Sequence, residues 1–169
     1  MAKRSLSTTN ITITGIADNT SLTVNTYCGD LLGAAATQRT NILEVYVGGQ
    51  STSSQVAIML LARDQAVATG GAAGGSTTFD AALDAATAAL AAPVVVANSF
   101  VTLQPFRSTT LHLLNLTFNA FGGIVRWVAA PGEEISIVGT SASTGSISLS
   151  GFTGSTGAIV GSHIIYETF

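Results

Sequence analysis

Short segments in which apolar and polar residues alternate recur along the whole chain, and they restrict its fold more than any other feature. Between Asn41 and Val47, for example, Leu43, Val45 and Val47 would all point to one side of a strand. Strict alternation is typical of a strand with one buried face. About ten such segments predict an all-β fold, a single-domain β-sandwich or jelly roll. They are Ile11 to Thr14, Leu22 to Asn25, Asn41 to Val47, Gln55 to Leu61, Pro93 to Leu103, Leu111 to Phe118, Ile124 to Ala129, Ile135 to Ile137, Ile147 to Leu149 and Ala158 to Tyr166.

Two of these segments are apolar on both sides rather than alternating. They are Gln55 to Leu61 and Pro93 to Val96 with its continuation to Leu103. Strands that are covered on both faces have this composition. We therefore expect both segments to form central strands.

One stretch, Phe79 to Ala92, has the pattern of a helix. It is rich in alanine, Phe79, Leu83 and Leu90 recur near one helical face, and Pro93 follows it. These features predict one short Ala-rich helix. The alternative is an Ala-rich ordered arm that lies across a neighbouring molecule.

The length of 169 residues suits one domain and leaves no room for two. We expect a β-sandwich domain over residues 11–169, preceded by an N-terminal arm over residues 1–10. This arm is polar and carries Lys3 and Arg4, which makes it a candidate docking segment, with a frayed terminus as the alternative. Deletion of the arm is then expected to leave the fold intact.

Charge is unusually scarce in this chain. Only 9% of its residues are charged, against about 25% in an ordinary soluble domain. Six Lys and Arg against nine Asp and Glu give a net charge of −3, which excludes a surface built to neutralise phosphates, so we expect no nucleic-acid partner. The uncharged stretch from Ala85 to Phe106 contains Pro93 and several polar residues, so we expect no membrane span either.

The residue types that usually carry catalysis are few and poorly arranged. His112 and His163 each lie in a predicted strand, and no pair of ligands has the spacing of a zinc site. The glycine run from Gly151 to Gly157 resembles a phosphate loop but lacks the lysine that such a loop needs. Cys28 is expected to be a small buried apolar residue. We therefore predict no enzyme, no metal and no cofactor.

Sparse charge has a consequence for the surface. A free monomer is kept apart from its copies by surface charge, and large apolar patches normally mark contact sites. Because so little of this exterior can be charged, we expect several faces to be covered by other chains. This predicts a structural subunit that forms a homo-oligomer.

Two further residues are candidates for partner binding beside Lys3 and Arg4. Arg126 and Trp127 are adjacent in the strand predicted from Ile124 to Ala129. Arg126 is expected either to pair with Glu133 or Glu134 across a hairpin or to contact another subunit.

The segment from Phe118 to Ile135, FNAFGGIVRWVAAPGEEI, and the ending GSHIIYE at Gly161 to Glu167 resemble small virion proteins encoded by tailed phages. The resemblance implies a capsid decoration, or cement, protein that binds the major capsid protein of the same particle, often as a trimer, and is located in the virion.

Two alternatives remain open beside the decoration protein. One is the major capsid protein of a small jelly-roll virus. The other is a tail or receptor-contacting binding module, and a sugar site in such a module would need an aromatic platform with polar neighbours. The candidates for that platform are Tyr27, Tyr46, Trp127 and Tyr166.

Overall fold

The computed structural model describes residues 2–22, 27–33, 35–66, 69–71, 78–83, 94–96 and 100–169. Almost all of their regular secondary structure is strand, so the prediction of an all-β single domain is confirmed. The finer description as a sandwich or jelly roll stays a prediction. The elements are β1 (Ala2–Thr12), β2 (Tyr27–Leu32), β3 (Arg39–Gly49), β4 (Val56–Ala66), β5 (Thr69–Gly71), β6 (Thr78–Ala82), β7 (Val94–Val96), β8 (Phe100–Leu103), β9 (Phe106–Asn119), β10 (Ile124–Val128), β11 (Ile135–Val138), the one-turn helix α1 (Ala142–Gly145), β12 (Ser146–Gly151) and β13 (Ile159–Thr168).

The larger sheet has six antiparallel strands. Its order is β10-β3-β13-β1-β6, and β11 also pairs with β3. Ile124 lies opposite Gly48 and Ile135 lies opposite Ile42, so β10 and β11 pair with successive parts of β3. The turn at Pro131 and Gly132, where Gly132 has a positive φ of 87°, separates them.

The second sheet has five antiparallel strands in the order β7-β2-β12-β4-β9, and β5 pairs with β8 in a separate two-stranded sheet. β4 therefore lies inside a sheet, as its apolar composition predicted. The expectation for Pro93 to Leu103 is wrong where the structure describes it. β7 lies at an edge of the five-stranded sheet and β8 pairs with β5, because this segment is divided between two short strands.

One apolar core draws side chains from both larger sheets. Leu6, Val45 and Ile164 of the six-stranded sheet belong to the same buried cluster as Met59 and Leu149 of the five-stranded sheet. Hydrogen bonds also join the sheets, since the hydroxyls of Thr8 and Ser162 both donate to the carbonyl oxygen of Cys28, at 2.5 and 3.3 Å. The sheets approach so closely at Gly29 that a Cβ there would lie 2.9 Å from Leu6 Cδ2.

The expected N-terminal arm is part of this sheet structure. β1 pairs with β13 on one side and with β6 on the other, and Leu6 is fully buried. Burial of a leucine side chain contributes about 1.5–3 kcal/mol, which is why this segment folds back onto the domain. Residues 2–10 are therefore an inner strand, and their deletion is expected to disrupt the fold rather than leave it intact.

The predicted helix is wrong at its beginning. Thr78–Ala82 form β6, whose residues pair with Arg4 to Thr8 of β1, because a neighbouring strand offers this segment backbone hydrogen bonds that outweigh its helix propensity. Residues 84–92 of the predicted helix and most of the glycine-rich segment before it lie outside the described residues. In the described part of the chain, no helix is long and apolar enough to cross a membrane.

Candidate functional site

A row of polar and aromatic side chains crosses the outer face of the six-stranded sheet. Strand register places Arg126 opposite Tyr46, Tyr46 opposite His163, and His163 opposite Ser7. Each neighbour in the row makes a contact. The Arg126 guanidinium lies 4.9 Å from the centre of the Tyr46 ring, the Tyr46 and His163 rings meet edge to face at 6.1 Å, and the Ser7 hydroxyl is 2.6 Å from His163 Nδ1. The row is therefore ordered across four adjacent strands.

An open groove of about 400 Å³ lies beside this row. Its floor contains Gly48 of β3 and Gly161 of β13, which are opposite one another in the ladder. Neither residue carries a side chain, so the outer face of the sheet is locally hollow. Ile124 and the side chain of Gln50 form walls, because Cβ atoms at Gly48 and Gly161 would lie 3.3 Å from Ile124 Cγ1 and 3.2 Å from the Gln50 amide.

The Ser7 and His163 pair has the geometry of a hydroxyl beside its base. A hydrolytic triad would also need a carboxylate that orients the imidazole, and no carboxylate of the described residues bonds to His163. Ser7 also lies in the middle of paired strands, where neighbouring backbone N–H groups bond within the sheet and cannot form an oxyanion hole. The arrangement is suited to hydrogen bonding a ligand.

A second surface feature is an apolar patch at one end of the molecule. The three most exposed large apolar side chains of the described residues are Ile124, Phe121 and Val56, at 73%, 61% and 59%. They lie at the same end because Val56 pairs with Asn119, Phe121 follows in the tight connection between β9 and β10, and Ile124 begins β10. We call these three residues the end patch.

The four predicted partner residues lie in two separate places. Lys3 and Arg4 are in β1, whereas Arg126 and Trp127 are in β10. Two strands lie between β1 and β10, so the pairs are roughly 14 Å apart or more and do not form one patch. Trp127 is partly buried and packs against the core, so it is a poor candidate for a partner contact.

Arg126 pairs with a residue that the sequence did not suggest. Its Nε and Nη2 atoms both donate to Glu44 Oε2, at 3.2 and 2.8 Å. The expected pairing with Glu133 or Glu134 is wrong, because β10 pairs with β3 and this register brings Arg126 beside Glu44. The Glu134 carboxylate instead accepts a hydrogen bond from the backbone N–H of Gly132 at 3.1 Å.

A buried polar layer lies on the other sheet, and alternation in the sequence did not predict it. Every residue of β12 is buried, so Ser146 and Ser148 are enclosed instead of facing solvent. The Asp64 carboxylate accepts hydrogen bonds from both hydroxyls, at 2.5 and 2.8 Å, and Asp30 Oδ1 lies 3.4 Å from the Ser146 hydroxyl. Asp30 Oδ2 is buried and has no hydrogen-bond partner among the residues that the structure describes.

The two acids of this layer have strongly shifted pKa values. Burial, and then the neighbouring Asp64 carboxylate, raise the pKa of Asp30 well above its usual range. Burial raises the pKa of Asp64 to about 7, although hydrogen bonds from Ser146 and Ser148 oppose this shift. A proton held by Asp30 removes the repulsion between two buried carboxylates.

Arg107 connects this layer to a loop. It is fully buried and donates to Asp18 Oδ1 at 2.7 Å, to the carbonyl oxygen of Ile16 at 2.7 Å and to the Ser150 hydroxyl at 2.5 Å. The other Asp18 oxygen is 2.7 Å from His112 Nε2. These contacts fasten the segment after β1 to the five-stranded sheet, and no local pattern could reveal them because Arg107 and Asp18 are 89 residues apart.

Two remaining predictions concern Cys28 and metal binding. Cys28 is fully buried, as predicted, and burial raises the pKa of its thiol to about 12. In the part of the chain that the structure describes, no group of three or more His, Cys, Asp and Glu side chains could hold a metal ion.

No protein-family model matches the chain, and no curated protein or solved structure is significantly similar to it.

Proposed function

We propose that the chain is a structural protein of a phage virion, a capsid decoration protein that binds the major capsid protein as a homo-oligomer, most simply a trimer. The observation that carries this proposal is the end patch. Val56, Phe121 and Ile124 come from three strands or connections and are all more than half exposed at one end of the molecule. Large apolar side chains that are exposed to this degree are candidates for a protein contact site.

The distribution of charge supports the same function. Asp30, Asp64 and Arg107 are buried, so three of the fifteen charged residues contribute nothing to the surface. Arg126 and Glu44 neutralise one another at 2.8 Å. The exterior is therefore even poorer in charge than the composition suggests, and little repulsion opposes the approach of another chain.

Burial of the end patch supplies the mechanism. Apolar surface removed from water contributes about 25 cal/mol per Å², and a stable interface buries about 800 Å² on each partner. A decoration protein repeats such a contact at every lattice position. A modest gain per copy then adds up to a large stabilisation of the shell.

The first experiment measures the mass of the native species by light scattering after size exclusion. We expect an oligomer for the wild-type chain. We expect the triple variant V56T/F121S/I124T to dissociate to the monomer with an unchanged circular dichroism spectrum, because it removes the apolar area that the contact buries. The matched control is V138T/F169S, which removes two exposed apolar side chains outside the end patch and should keep the oligomer.

Two results would contradict the proposal. A wild-type chain that stays monomeric at high concentration does not support assembly through its own surface. An oligomer that the triple variant retains and the control variant loses places the contact elsewhere.

Copy number separates the decoration protein from the alternatives. A major capsid protein of a small jelly-roll virus forms the shell itself, whereas a decoration protein accompanies a second, more basic lattice protein. A tail or receptor-contacting module is present in few copies per particle. Quantitative mass spectrometry of purified particles therefore distinguishes the three.

A further inference from the structure

The groove on the outer face of the six-stranded sheet is the most developed concave site of the described residues. Its volume of about 400 Å³ lies in the usual range of small-molecule sites. Gly48 and Gly161 create it, because two directly opposed positions of neighbouring strands lack side chains. A groove of this volume is large enough for one or two sugar rings and too small for a folded domain.

The groove surface is mostly apolar, carries several polar groups and has no charged side chain among its described lining residues. Hydroxyls of Ser7, Thr9 and Tyr46, the amide of Gln50 and the imidazole of His163 line it, and none of its described lining residues is Asp, Glu, Lys or Arg. Hydroxyl, amide and imidazole groups can each donate and accept hydrogen bonds. The hydroxyl groups of a carbohydrate also donate and accept hydrogen bonds. A site that binds a neutral carbohydrate therefore needs no charged side chain.

The remaining lining is apolar. Ile124 and the backbone of the paired glycines offer surface against which the C–H face of a sugar ring can pack. Two neighbours hold the Tyr46 ring, since Arg126 lies over one face and the His163 ring meets it edge to face. Tyr46 therefore supplies a hydrogen-bonding group and a rigid aromatic wall.

The polar groups are held in place before any ligand arrives. Ser7 and Tyr46 both contact His163, and Glu44 fixes the guanidinium that covers Tyr46. Gln50 Oε1 accepts a hydrogen bond from the backbone N–H of Asn10 at 2.7 Å, which directs its amide nitrogen over Gly161. Side chains that are already ordered lose little entropy on binding, so a small neutral ligand can be held with few contacts.

We propose that this groove binds a neutral carbohydrate of one or two rings. Acidic ligands are excluded, because a phosphate or a carboxylate would find no Lys or Arg partner among the described lining residues. The proposal does not depend on the virion assignment. If the chain is a decoration protein, sugar binding adds a second function, attachment of the particle to a glycan-bearing surface, in copies whose groove stays open beside the contact at Ile124.

The test applies the purified wild-type chain to an array of neutral mono- and disaccharides, with acidic sugars of the same size beside them. The selected disaccharide is then titrated by calorimetry. We expect Gly48→Val to weaken binding at least tenfold, because its side chain fills the floor of the groove, where the nearest neighbour of its Cβ is the movable Ile124 side chain at 3.3 Å. We expect Ser7→Ala to weaken binding by a smaller factor, since it removes one hydroxyl and leaves the shape unchanged.

The matched control is Thr117→Val, which also places a valine on an exposed strand position but on the other sheet. It should bind sugar like the wild type. Thermal unfolding of each variant shows whether the fold is kept, and Ser7→Ala provides a second readout if Gly48→Val is destabilised.

Several outcomes overturn the sugar proposal. They are no binding to any neutral sugar at millimolar concentration, a preference for acidic sugars, or equal affinity in all variants. The mass of each variant in solution separates this proposal from the assembly proposal. If Gly48→Val alters the oligomer while no sugar binds the wild type, the groove is an interface between copies and the sugar proposal fails alone.

Discussion

The two larger sheets carry similar arginine and carboxylate contacts in opposite surroundings. Arg107 meets Asp18 at 2.7 Å and Arg126 meets Glu44 at 2.8 Å, yet the arginine side chain is 0% exposed in the first pair and 50% exposed in the second. The buried arginine also donates to the buried Ser150 hydroxyl and to the carbonyl oxygen of Ile16. The two ion pairs are similar in length, but the buried pair is expected to contribute much more to the free energy of unfolding than the exposed pair. The five-stranded sheet therefore depends on its polar contacts for stability, whereas the six-stranded sheet can use its outer face for binding.

The largest expected effect is the loss of Arg107. Arg107→Ala leaves Asp18, Ser150 and the Ile16 carbonyl without their shared donor, and breaking a buried charged pair costs about 3–5 kcal/mol. Urea unfolding measures this loss. The matched control is Arg126→Ala, which should leave the unfolding midpoint almost unchanged because solvent screens its pair with Glu44. Equal losses in both variants would remove the contrast between the sheets.

The buried acids give the five-stranded sheet a pH dependence. In the folded chain the pKa of Asp64 is raised to about 7 and that of Asp30 is raised well above its usual range, whereas both acids of the unfolded chain titrate near pH 4. The folded chain therefore binds more protons between pH 4 and 7, and its stability falls as the pH rises through this window. We expect the unfolding temperature to fall by roughly 5 °C from pH 5 to pH 8.

Asp30→Asn tests whether these acids are the cause. The neutral amide removes one of the two raised pKa values, so the unfolding temperature should depend less on pH. Glu44→Gln, on the outer face of the other sheet, should keep the wild-type dependence. A wild-type unfolding temperature that rises between pH 5 and pH 8 would show that the acids do not hold protons.

The sequence predicted the fold class well because alternation is a local signal. Every second residue of β13 is buried, as expected for a strand with one buried face. Val160, Ser162, Ile164 and Tyr166 are buried, and the residues between them are half-exposed. The same rule failed in β12, where the serines alternate as if they faced water but are enclosed with Asp64. Alternation reveals that two faces differ in polarity, and it does not reveal whether the polar face is covered.

The candidate sites were harder to predict because they depend on strand register. Tyr46 was one of four aromatic candidates for a sugar platform, and nothing local connected it with His163 or Ser7, which are far away in the sequence. Strand register also creates the pair of glycines on the groove floor. Gly48 comes directly after the alternating segment from Asn41 to Val47, and its role becomes visible only when Gly161 is placed opposite it.

The smallest expected effect contrasts two adjacent glycines of β3. Successive residues of a strand point to opposite faces, so Gly48 points into the outer groove and Gly49 points to the other side. A Cβ at Gly49 would lie 2.1 Å from the backbone carbonyl oxygen of Ala120, whereas a Cβ at Gly48 would lie 3.3 Å from a side-chain atom of Ile124.

We expect Gly49→Ala to lower the free energy of unfolding in urea by about 1–3 kcal/mol, as overpacking usually does, and Gly48→Ala to be nearly neutral. Both substitutions reduce the freedom of the unfolded chain by a similar amount, so the difference between them reports the space on the two faces of the strand. If Gly48→Ala is as costly as Gly49→Ala, the outer face at this position is packed, and it does not offer the open groove on which the sugar proposal depends.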